Sequence, residues 1–476
     1  MTIFPGPATV LAKPADPANN GRMTAQTLTS PMDRLSQYMA EAPSRPLPPQ
    51  IIEKCRMHLL DTIGAIVSGT ELLPGRKAIE FARSRPSANE AGIMGMELRT
   101  DAVTAALTNG MLGHADETDD SHSDSRSHPG CSVVPAALAM AEKVGATGEE
   151  LLRAIALGYD IGTRAVRALG TGKLYEAGHA THAFSGGFGA AAAAGAIAKL
   201  KAQQCRWLLS YAAQQTAGIT SWRRDVDHIE KAFVFGGMPA RNGISAALMV
   251  AGGFTGVDDV FTGNRTFFTA FGQEPDPEIL VDRLGEHYAL TATTIKKWSV
   301  GSPSQPVLDL GHKLITEYKV GAEQVVRLKL RLSMRESVVL DQRMADINVK
   351  HLLSVQLIDG NLTFASSHDL SRINDLAVLA FQQKIDLGLD PSIVFRKPTI
   401  ELTLIDGRTL SLKADDVRGS PANPMSRQEV VDKFTGLASG ILGDEGTRDA
   451  IDAVWNLSAS TPVGGLIEML SQRRGE

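Results

Sequence analysis

The stretch GHADETDDSHSDSRSHPG, from Gly113 to Gly130, holds five acidic residues and three histidines within eighteen residues. His128 is followed by proline and glycine, and a prolyl ring disfavours a helix through its position, so the stretch is predicted to be a loop. Apolar segments typical of buried helices flank it on both sides. A loop anchored at both ends by buried helices can hold a rigid site. We refer to residues 113–130 as the acidic loop.

Three interpretations of the acidic loop stay open from its residues alone. The acids could be solvated on a surface loop. The spacing of Asp119, Asp120 and His122 could bind a metal ion, provided that the ligands converge in tetrahedral or octahedral geometry. The third interpretation is an enzyme pocket that handles an acidic substrate without a metal, in which the acids orient histidines and balance nearby positive charge.

Three further segments carry residues that suit a carboxylate-binding pocket. EAGHATHAFSGGFGAAAAAG places His179 and His182 before a glycine-rich helix start, whose partial positive charge favours anions, although helix packing is the commoner role of such glycines. Lys231 and Lys296 each lie beside apolar residues, in DHIEKAFVFGGMPARNG and TTIKKWSVGSPSQP. A lysine is usually a solvated surface charge, but desolvation strengthens its attraction for a carboxylate.

Composition excludes several classes of partner. The chain has 476 residues, 43% of them hydrophobic, and a net charge of -5, so it lacks the basic surface expected for binding nucleic acid or an anionic membrane. No apolar run is long enough to span a bilayer. The three cysteines, Cys55, Cys131 and Cys205, are far apart and form no CxxC pair, which argues against a disulfide framework and a cysteine zinc site. A cytoplasmic location is predicted.

Hydrophobic patterning predicts a mainly α-helical protein with a smaller α+β domain. Residues 31–274 and 413–476 have helical periodicity and are predicted to form one large all-helical domain from two separate segments. Residues 275–412 contain strand patterns and are predicted to form an inserted α+β lid domain. Residues 1–30 are rich in Pro, Ala and Asn and are predicted to be a disordered or draped tail. The cleft between two domains is a favoured place for a ligand.

Local signals within these domains are specific enough to test. Capping boxes are predicted at Thr147 with Glu150 and at Ser426 with Glu429. The alternation in VVRLKLRLSM predicts a half-buried strand with its apolar residues on one face, namely Val326, Leu328, Leu330 and Leu332. Asp406-Gly407 is predicted to form a tight hairpin turn with positive φ at both central positions. The run of alanines after residue 189 predicts a deeply buried helix.

Five segments, taken together and in order, resemble the MmgE/PrpD family, which includes 2-methylcitrate dehydratase, cis-aconitate decarboxylase and iminodisuccinate epimerase. They are HADETDDSH…SHPGCSVVPAALAMAE, GHATHAFSGGFGAAAAAG, EKAFVFGGMPARNG, IKKWSVGSPSQP and LLSVQLIDG. The resemblance covers nearly all of the chain after residue 30. It implies a large helical domain built from both chain ends, a smaller α+β lid and a homodimer. It also implies chemistry on small polycarboxylates without metal or cofactor, in a pocket between the domains.

The resemblance further implies roles for single residues. His128 resembles the active-site histidine after the acidic loop, and His179 the second one, with His182 a nearby candidate. Lys231 and Lys296 resemble the two pocket lysines. The remaining matches are the paired acids Asp119 and Asp120, Ser121 in place of a frequent threonine, and Asp116 or Glu117 as the acid further upstream. His351 departs from the pattern, because many members have a tyrosine there.

The predicted function is therefore that of a metal-independent lyase without a cofactor, foremost a hydro-lyase of the 2-methylcitrate dehydratase type acting on a small di- or tricarboxylate. The predicted catalytic residues are His128, His179, Lys231, Lys296 and Asp119. The predicted substrate-binding residues are Asp116, Asp120, Ser121, His182 and His351, the last as a replacement proton donor. An isomerase, epimerase or decarboxylase on a related acid is the alternative. A non-catalytic carboxylate-binding protein is a second alternative, because the tyrosine is replaced.

Overall fold

The computed structural model describes residues 30–85, 87–340 and 345–472, so the predicted N-terminal tail lies outside the described residues except for Ser30. The α-helices of these residues are α1 (Pro31–Glu41), α2 (Pro49–Gly69), α3 (Leu73–Arg83), α4 (Ala102–Gly113), α5 (Gly130–Val144), α6 (Gly148–Ala168), α7 (Thr171–Glu176), α8 (Thr181–Ile197), α9 (Ala202–Gln214), α10 (Ile229–Ala232), α11 (Met238–Ala251), α12 (Phe267–Phe271), α13 (Gln305–Thr316), α14 (Val349–Asp359), α15 (Phe364–His368), α16 (Leu376–Gln383), α17 (Arg427–Trp455) and α18 (Val463–Leu470). The strands are β1 (Ala91–Ile93), β2 (Leu98–Thr100), β3 (Ser121–His122), β4 (Thr293–Thr294), β5 (Val325–Leu332), β6 (Ile385–Leu389), β7 (Thr399–Leu404) and β8 (Thr409–Lys413).

The alanine-rich helix α8 lies in the middle of the larger core, packed against α5, α6, α9 and α11. Its small side chains allow the neighbouring backbones to approach very closely. A Cβ atom added to Gly162 of α6 would lie 2.4 Å from the carbonyl oxygen of Ser185, and one added to Gly243 of α11 would lie 2.4 Å from the amide nitrogen of Ala191. The prediction of a deeply buried alanine helix is confirmed.

Both ends of the described chain contribute to this larger core. Helix α17 packs along α2, and α18 packs against α17 and α5. One continuous apolar cluster therefore includes Met32 near the start and Leu470 near the end. The capping boxes predicted at the starts of α6 and α17 are both present.

A second core is built on a four-stranded sheet of order β6-β5-β7-β8, in which β5 and β6 are parallel and the other pairs antiparallel. Apolar residues of α13, α14 and α16 complete this core. The predicted lid boundary at residue 275 precedes the second core, because Leu280, Leu290 and Ile295 pack in the larger one.

Two local predictions in this sheet are wrong for identifiable reasons. Val326 is 52% exposed, because a bulge between Val325 and Arg327 shifts the register and turns Val325 inward instead. The β7–β8 hairpin has three loop residues rather than two, since the amide of Leu404 donates to the carbonyl of Arg408. Only Gly407 of its Asp-Gly pair has positive φ, at 85°.

The two cores are joined beside the acidic loop. Strand β3 of that loop pairs with β4, which lies in the connection leading to the second core, so that Ser121 faces Thr294. None of the described helices is both long and apolar enough to cross a membrane. The three cysteines are buried and form no disulfide.

Candidate active site

The acidic loop is buried, so the interpretation as a solvated surface loop is wrong for most of its acids. Asp124 is exposed, but Asp116, Glu117, Asp119 and Asp120 are buried, and the last two have no exposed surface. A buried carboxylate is costly unless hydrogen-bond donors or cations accompany it. Each of the four has such partners, and each set of partners differs.

Glu117 is the carboxylate that joins the two lysines. The Nζ of Lys231 donates a hydrogen bond to its Oε1, and the Nζ of Lys296 donates to its backbone carbonyl at 2.6 Å and lies 3.6 Å from its Oε2. Burial alone would raise the pKa of Glu117, but the two ammonium groups hold that pKa well below its usual range. Lys296 is fully buried, whereas Lys231 keeps a small exposed surface.

Asp119 orients His128. The Nδ1 of His128 lies 2.9 Å from Oδ1 of Asp119, and the Nδ1 of His114 lies 3.0 Å from Oδ2. Burial opposes ionisation of Asp119, but the imidazoles of His114 and His128 hold its pKa well below the usual value. An ionised carboxylate only accepts hydrogen bonds, so Nδ1 of His128 must be the donor and Nε2 carries the free lone pair.

His128 is consequently suited to accept a proton. Burial lowers the pKa of its imidazole, and the opposing charge of Asp119 does not restore it, so the neutral form predominates at pH 7. Its side chain is 11% exposed, unlike that of the fully buried His114. This combination of an orienting carboxylate, a neutral ring and a small exposed surface is that of a general base.

Asp120 anchors the loop instead of facing a ligand. Its Oδ2 accepts from the Tyr159 hydroxyl at 2.6 Å and lies 2.7 Å from Nδ1 of His58, while Oδ1 accepts from the amide of Gly130 at 3.0 Å. Both oxygens of Asp120 are buried and already have partners. Neither oxygen is therefore free for the predicted contact with a substrate. Lys433 of α17 provides a second anchor by donating to the carbonyl of Thr118 at 2.9 Å.

Asp116 and Ser121 lie where the loop meets the lid. Oδ1 of Asp116 accepts from the amide of Thr118 at 2.9 Å, and Oδ2 lies 2.9 Å from Nε2 of His368 in α15. The hydroxyls of Ser121 and Ser302 are 3.5 Å apart, at the outer limit of a hydrogen bond.

Phe235 forms an aromatic floor between the histidines. It lies in a π-helical turn, Phe233–Gly237, that connects α10 to α11, and such turns are frequent at functional sites. Its ring stacks on His182 at 3.7 Å and on His114 at 4.3 Å between centroids. The Nζ of Lys231 lies 5.4 Å from the same ring, within cation–π range.

The second histidine of this group is His182 and not His179. The ring of His182, in the first turn of α8, has its centroid 5.4 Å from that of His128. His179 precedes the helix, and its ring packs edge-on against Phe184 and Phe271. Of the two histidines, the structure therefore places His182 beside His128, and burial and the neighbouring His128 lower the pKa of His182.

His351 of α14 is buried within the lid. Its Nε2 has no hydrogen-bond partner among the described residues, and its pKa is lowered by burial and by the charge of Arg372. A neutral ring with a free nitrogen is compatible with the predicted proton-transfer role, which stays a prediction.

Several residues of the site were not predicted. His114 and His228 lie beside predicted residues in the sequence, and this proximity was the available signal. Burial and the charge of Lys231 lower the pKa of His228. His368 and Phe235 gave no comparable signal, since an isolated lid histidine and a phenylalanine among glycines have no distinctive spacing.

Two groups of side chains have the geometry to hold a metal ion. They are His114, Asp119 and His128, and His114, Glu117 and His228, with the potential ligand atoms of each group within 4.8 Å of one another. Both carboxylates already have lysine partners, because Lys296 lies 3.5 Å from Asp119 and 3.6 Å from Glu117. A divalent cation here would meet that ammonium charge at close range, which disfavours its binding.

The fold and the site together define a class of protein: a larger helical core and a smaller α+β core, with a buried cluster of acids, histidines and lysines at their junction. The MmgE/PrpD N-terminal domain profile matches residues 33–280, and the MmgE/PrpD C-terminal domain profile matches residues 298–457. The chain belongs to the MmgE/PrpD family. The gap between the two profiles coincides with the connection that precedes the second core.

Curated relatives align over nearly the whole chain. A cis-aconitate decarboxylase-like protein of Aspergillus oryzae is 23% identical, covering 96% of this chain and 98% of its own length. The cis-aconitate decarboxylase of Aspergillus terreus is 22% identical over 89% of this chain and 92% of its own. That of Homo sapiens is 24% identical over 86% and 88%, respectively. The family and these relatives identify the chain as an enzyme.

Proposed function

We propose that the protein is a lyase that acts on a small di- or tricarboxylate by proton transfer at His128, with dehydration of a 2-methylcitrate-like hydroxy acid as its leading reaction. The observation that carries the proposal is the hydrogen bond from Nδ1 of His128 to Asp119, which leaves Nε2 of a neutral ring free to act as a base.

In the proposed reaction, Nε2 of His128 removes the proton from a carbon next to a substrate carboxylate. The C–H electron pair forms the carbon–carbon double bond as the carbon–oxygen bond breaks, and the imidazolium returns its proton to the departing hydroxide to give water. Asp119 stabilises the transient imidazolium. The ammonium of Lys231 stabilises the charge that develops on the carboxylate, an effect worth several kcal/mol in enzymes of this kind.

The two lysines differ in this proposal. Lys231 retains exposed surface and can share its charge between Glu117 and a substrate carboxylate. Lys296 is fully buried and donates to the Glu117 carbonyl, so it acts through Glu117 and Asp119. This replaces the initial expectation that both lysines touch the substrate.

Decarboxylation is the second candidate, because the relatives that align along the chain are named cis-aconitate decarboxylases. Loss of carbon dioxide leaves a carbanion that a protonated group must quench, so that reaction begins with a proton donor. The lowered pKa of His128 favours a ring that begins as the base, which supports elimination over decarboxylation.

The experiment incubates the purified protein with 2-methylcitrate, citrate and cis-aconitate in heavy water. Alkene absorbance with loss of water supports the hydro-lyase, and release of carbon dioxide from cis-aconitate supports the decarboxylase. Deuterium uptake without a net new product would indicate an isomerase or epimerase instead. The protein could instead bind these acids saturably and turn over neither them nor a wider set of di- and tricarboxylic acids. That result would indicate a carboxylate-binding protein and contradict the proposal.

A further inference from the structure

An ion pair connects the lid to the turn at residues 116–118, at the start of the acidic loop. Nε2 of His368, in α15, lies 2.9 Å from Oδ2 of Asp116. The two side chains are only 15% and 5% exposed, so water screens their interaction poorly. This contact joins the two halves of the protein directly beside Glu117.

The surroundings of His368 favour protonation of both of its ring nitrogens. Nδ1 lies 2.9 Å from the carbonyl oxygen of Phe364 and 3.0 Å from the hydroxyl of Ser367. That hydroxyl donates its own proton to the Phe364 carbonyl, so both oxygens can accept from Nδ1, which acts as the donor. Nε2 faces the carboxylate of Asp116, where an unprotonated nitrogen would place its lone pair against a negative charge. His368 is therefore an imidazolium, in contrast to the neutral His128.

The charged groups that face His368 agree with this assignment. They are Asp116, from the acidic loop, and Asp346, from the turn before α14. Burial alone would lower the pKa of His368, but these carboxylates raise it above its usual value. Burial and the nearby Glu117 carboxylate raise the pKa of Asp346 to about 6, so Asp346 is ionised at neutral pH and adds to this effect.

Asp116 transmits the position of His368 to the site. The carboxylate of Asp116 accepts from the amide and the hydroxyl of Thr118, which closes a short turn around Glu117. The backbone carbonyl of Glu117 then receives Lys296, and its carboxylate receives Lys231. Rotation of the Asp116 side chain would release this turn and shift Glu117 relative to both lysines.

We propose that His368 is a positioning residue whose imidazolium holds Asp116, and with it the Glu117 turn, in the arrangement required by the proposed acid–base pocket, and that it does so only while protonated. The importance of this arrangement for catalysis rests on the proposed function, whereas the contact between His368 and Asp116 does not. Since the pKa of His368 is raised in the folded protein, the link is complete below pH 6.5 and is lost as the pH rises through that raised value.

The test measures amide hydrogen exchange of residues 114–122 in the full chain without substrate. Four proteins are compared: the wild type, His368→Gln, His368→Lys, and His312→Gln as a control lid histidine on α13. At pH 6, His368→Gln should exchange about tenfold faster than the wild type in this segment, because a buried charged contact is lost. His368→Lys keeps a cation and should stay protected, and His312→Gln should match the wild type.

The pH dependence separates a charge effect from a packing effect. The ratio of the exchange rates of His368→Gln and wild type should fall towards one by pH 9, since the wild-type imidazole is then neutral, and comparison at equal pH cancels the intrinsic rates. The inference would be overturned by a rate ratio near one at pH 6, or by a ratio that stays constant up to pH 9. It would also be overturned if His312→Gln exchanged as fast as His368→Gln, or if His368→Lys exchanged faster than the wild type at pH 6.

A kinetic comparison relates this link to turnover. With a substrate found under the proposed function, the basic limb of the wild-type kcat/KM profile should be absent from His368→Lys, which should retain activity at pH 9. A basic limb that persists unchanged in His368→Lys would count against a positioning role. Failure to find any substrate would contradict the proposed function and leave the exchange result to decide on His368.

Discussion

At the residue scale, the four buried acids of the acidic loop have four separate structural tasks. Asp116 meets a lid histidine, Glu117 joins two lysines, Asp119 orients His128 and Asp120 fastens the loop to the helices behind it. Glu117 and Asp119 are the two acids that lie directly beside His128 and the two buried lysines, the groups to which the proposed function gives proton transfer and charge stabilisation. The concentration of acids therefore serves to place cations and imidazoles.

The lowered pKa of His128 gives a prediction for the pH dependence of turnover. A general base works in its neutral form, so the acid limb of the kcat/KM profile should lie below pH 6.5, where the ring of His128 becomes protonated. The measurement is a pH profile of kcat/KM with a fixed substrate. An acid limb with its midpoint above pH 7 would contradict a neutral His128.

The buried position of Lys296 gives a prediction for stability. Lys296→Met leaves Asp119 and Glu117 with less compensating charge and should lower the free energy of unfolding by about 3 kcal/mol, because an uncompensated buried charge is costly. Lys297→Met is the matched control: this neighbour is partly exposed over Trp298 and should cost less than about 1 kcal/mol. Urea unfolding of both variants makes the comparison, and equal losses would contradict the assigned role.

At the element scale, close helix packing is what holds the loop between α4 and α5. Helix α8 packs against α5 and α6, and the absence of side chains at Gly162 and nearby glycines permits that contact. The catalytic geometry thus depends on residues that have no chemistry of their own.

This packing predicts opposite effects for two glycine substitutions. Gly162→Ala should destabilise by about 1–3 kcal/mol, since its Cβ would clash with a backbone oxygen of α8. Gly436→Ala lies on an exposed face of α17 with open space around it, and should stabilise by about 0.5–1 kcal/mol through helix propensity. Thermal unfolding of both variants is the measurement, and a loss at Gly436 similar to that at Gly162 would show that general glycine sensitivity is responsible.

Elements were predictable where the signal is local. The capping boxes at Thr147 and Ser426 and the buried alanine helix follow from short-range rules, and the structure has them. The bulge at Val325 and the three-residue hairpin loop were missed, because strand register is determined by partners far away in sequence. The same reason applies to the site: His128 and Lys231 stood in distinctive segments, but the pairing of Asp116 with His368 depends on how the two cores meet.

At the scale of the whole molecule, the buried acids, histidines and lysines lie where the connection between the cores pairs with the acidic loop. Both cores supply charged groups, since Lys231 comes from the helical part and His368 from the lid. The homodimer implied by the resemblance stays a prediction.

The lysine charges beside Glu117 and Asp119 predict that turnover does not depend on a divalent metal ion. Dialysis against a strong chelator should leave turnover unchanged, because the ammonium groups of Lys231 and Lys296 already provide the positive charge at Glu117 and Asp119. Loss of activity on chelation that zinc or another divalent ion restores would favour one of the two histidine–carboxylate groups as a metal site.

The central claim, proton transfer at His128, is tested most directly by comparing turnover of His128→Asn and His179→Asn on the substrate that the wild type dehydrates. The account predicts that His128→Asn loses about 10²–10⁴-fold in kcat while its folding is retained. His179→Asn is expected to stay close to the wild type in kcat, because the ring of His179 packs on Phe184 and Phe271 rather than on His128. Near-normal turnover of His128→Asn, or an equal loss in His179→Asn, would contradict the central claim.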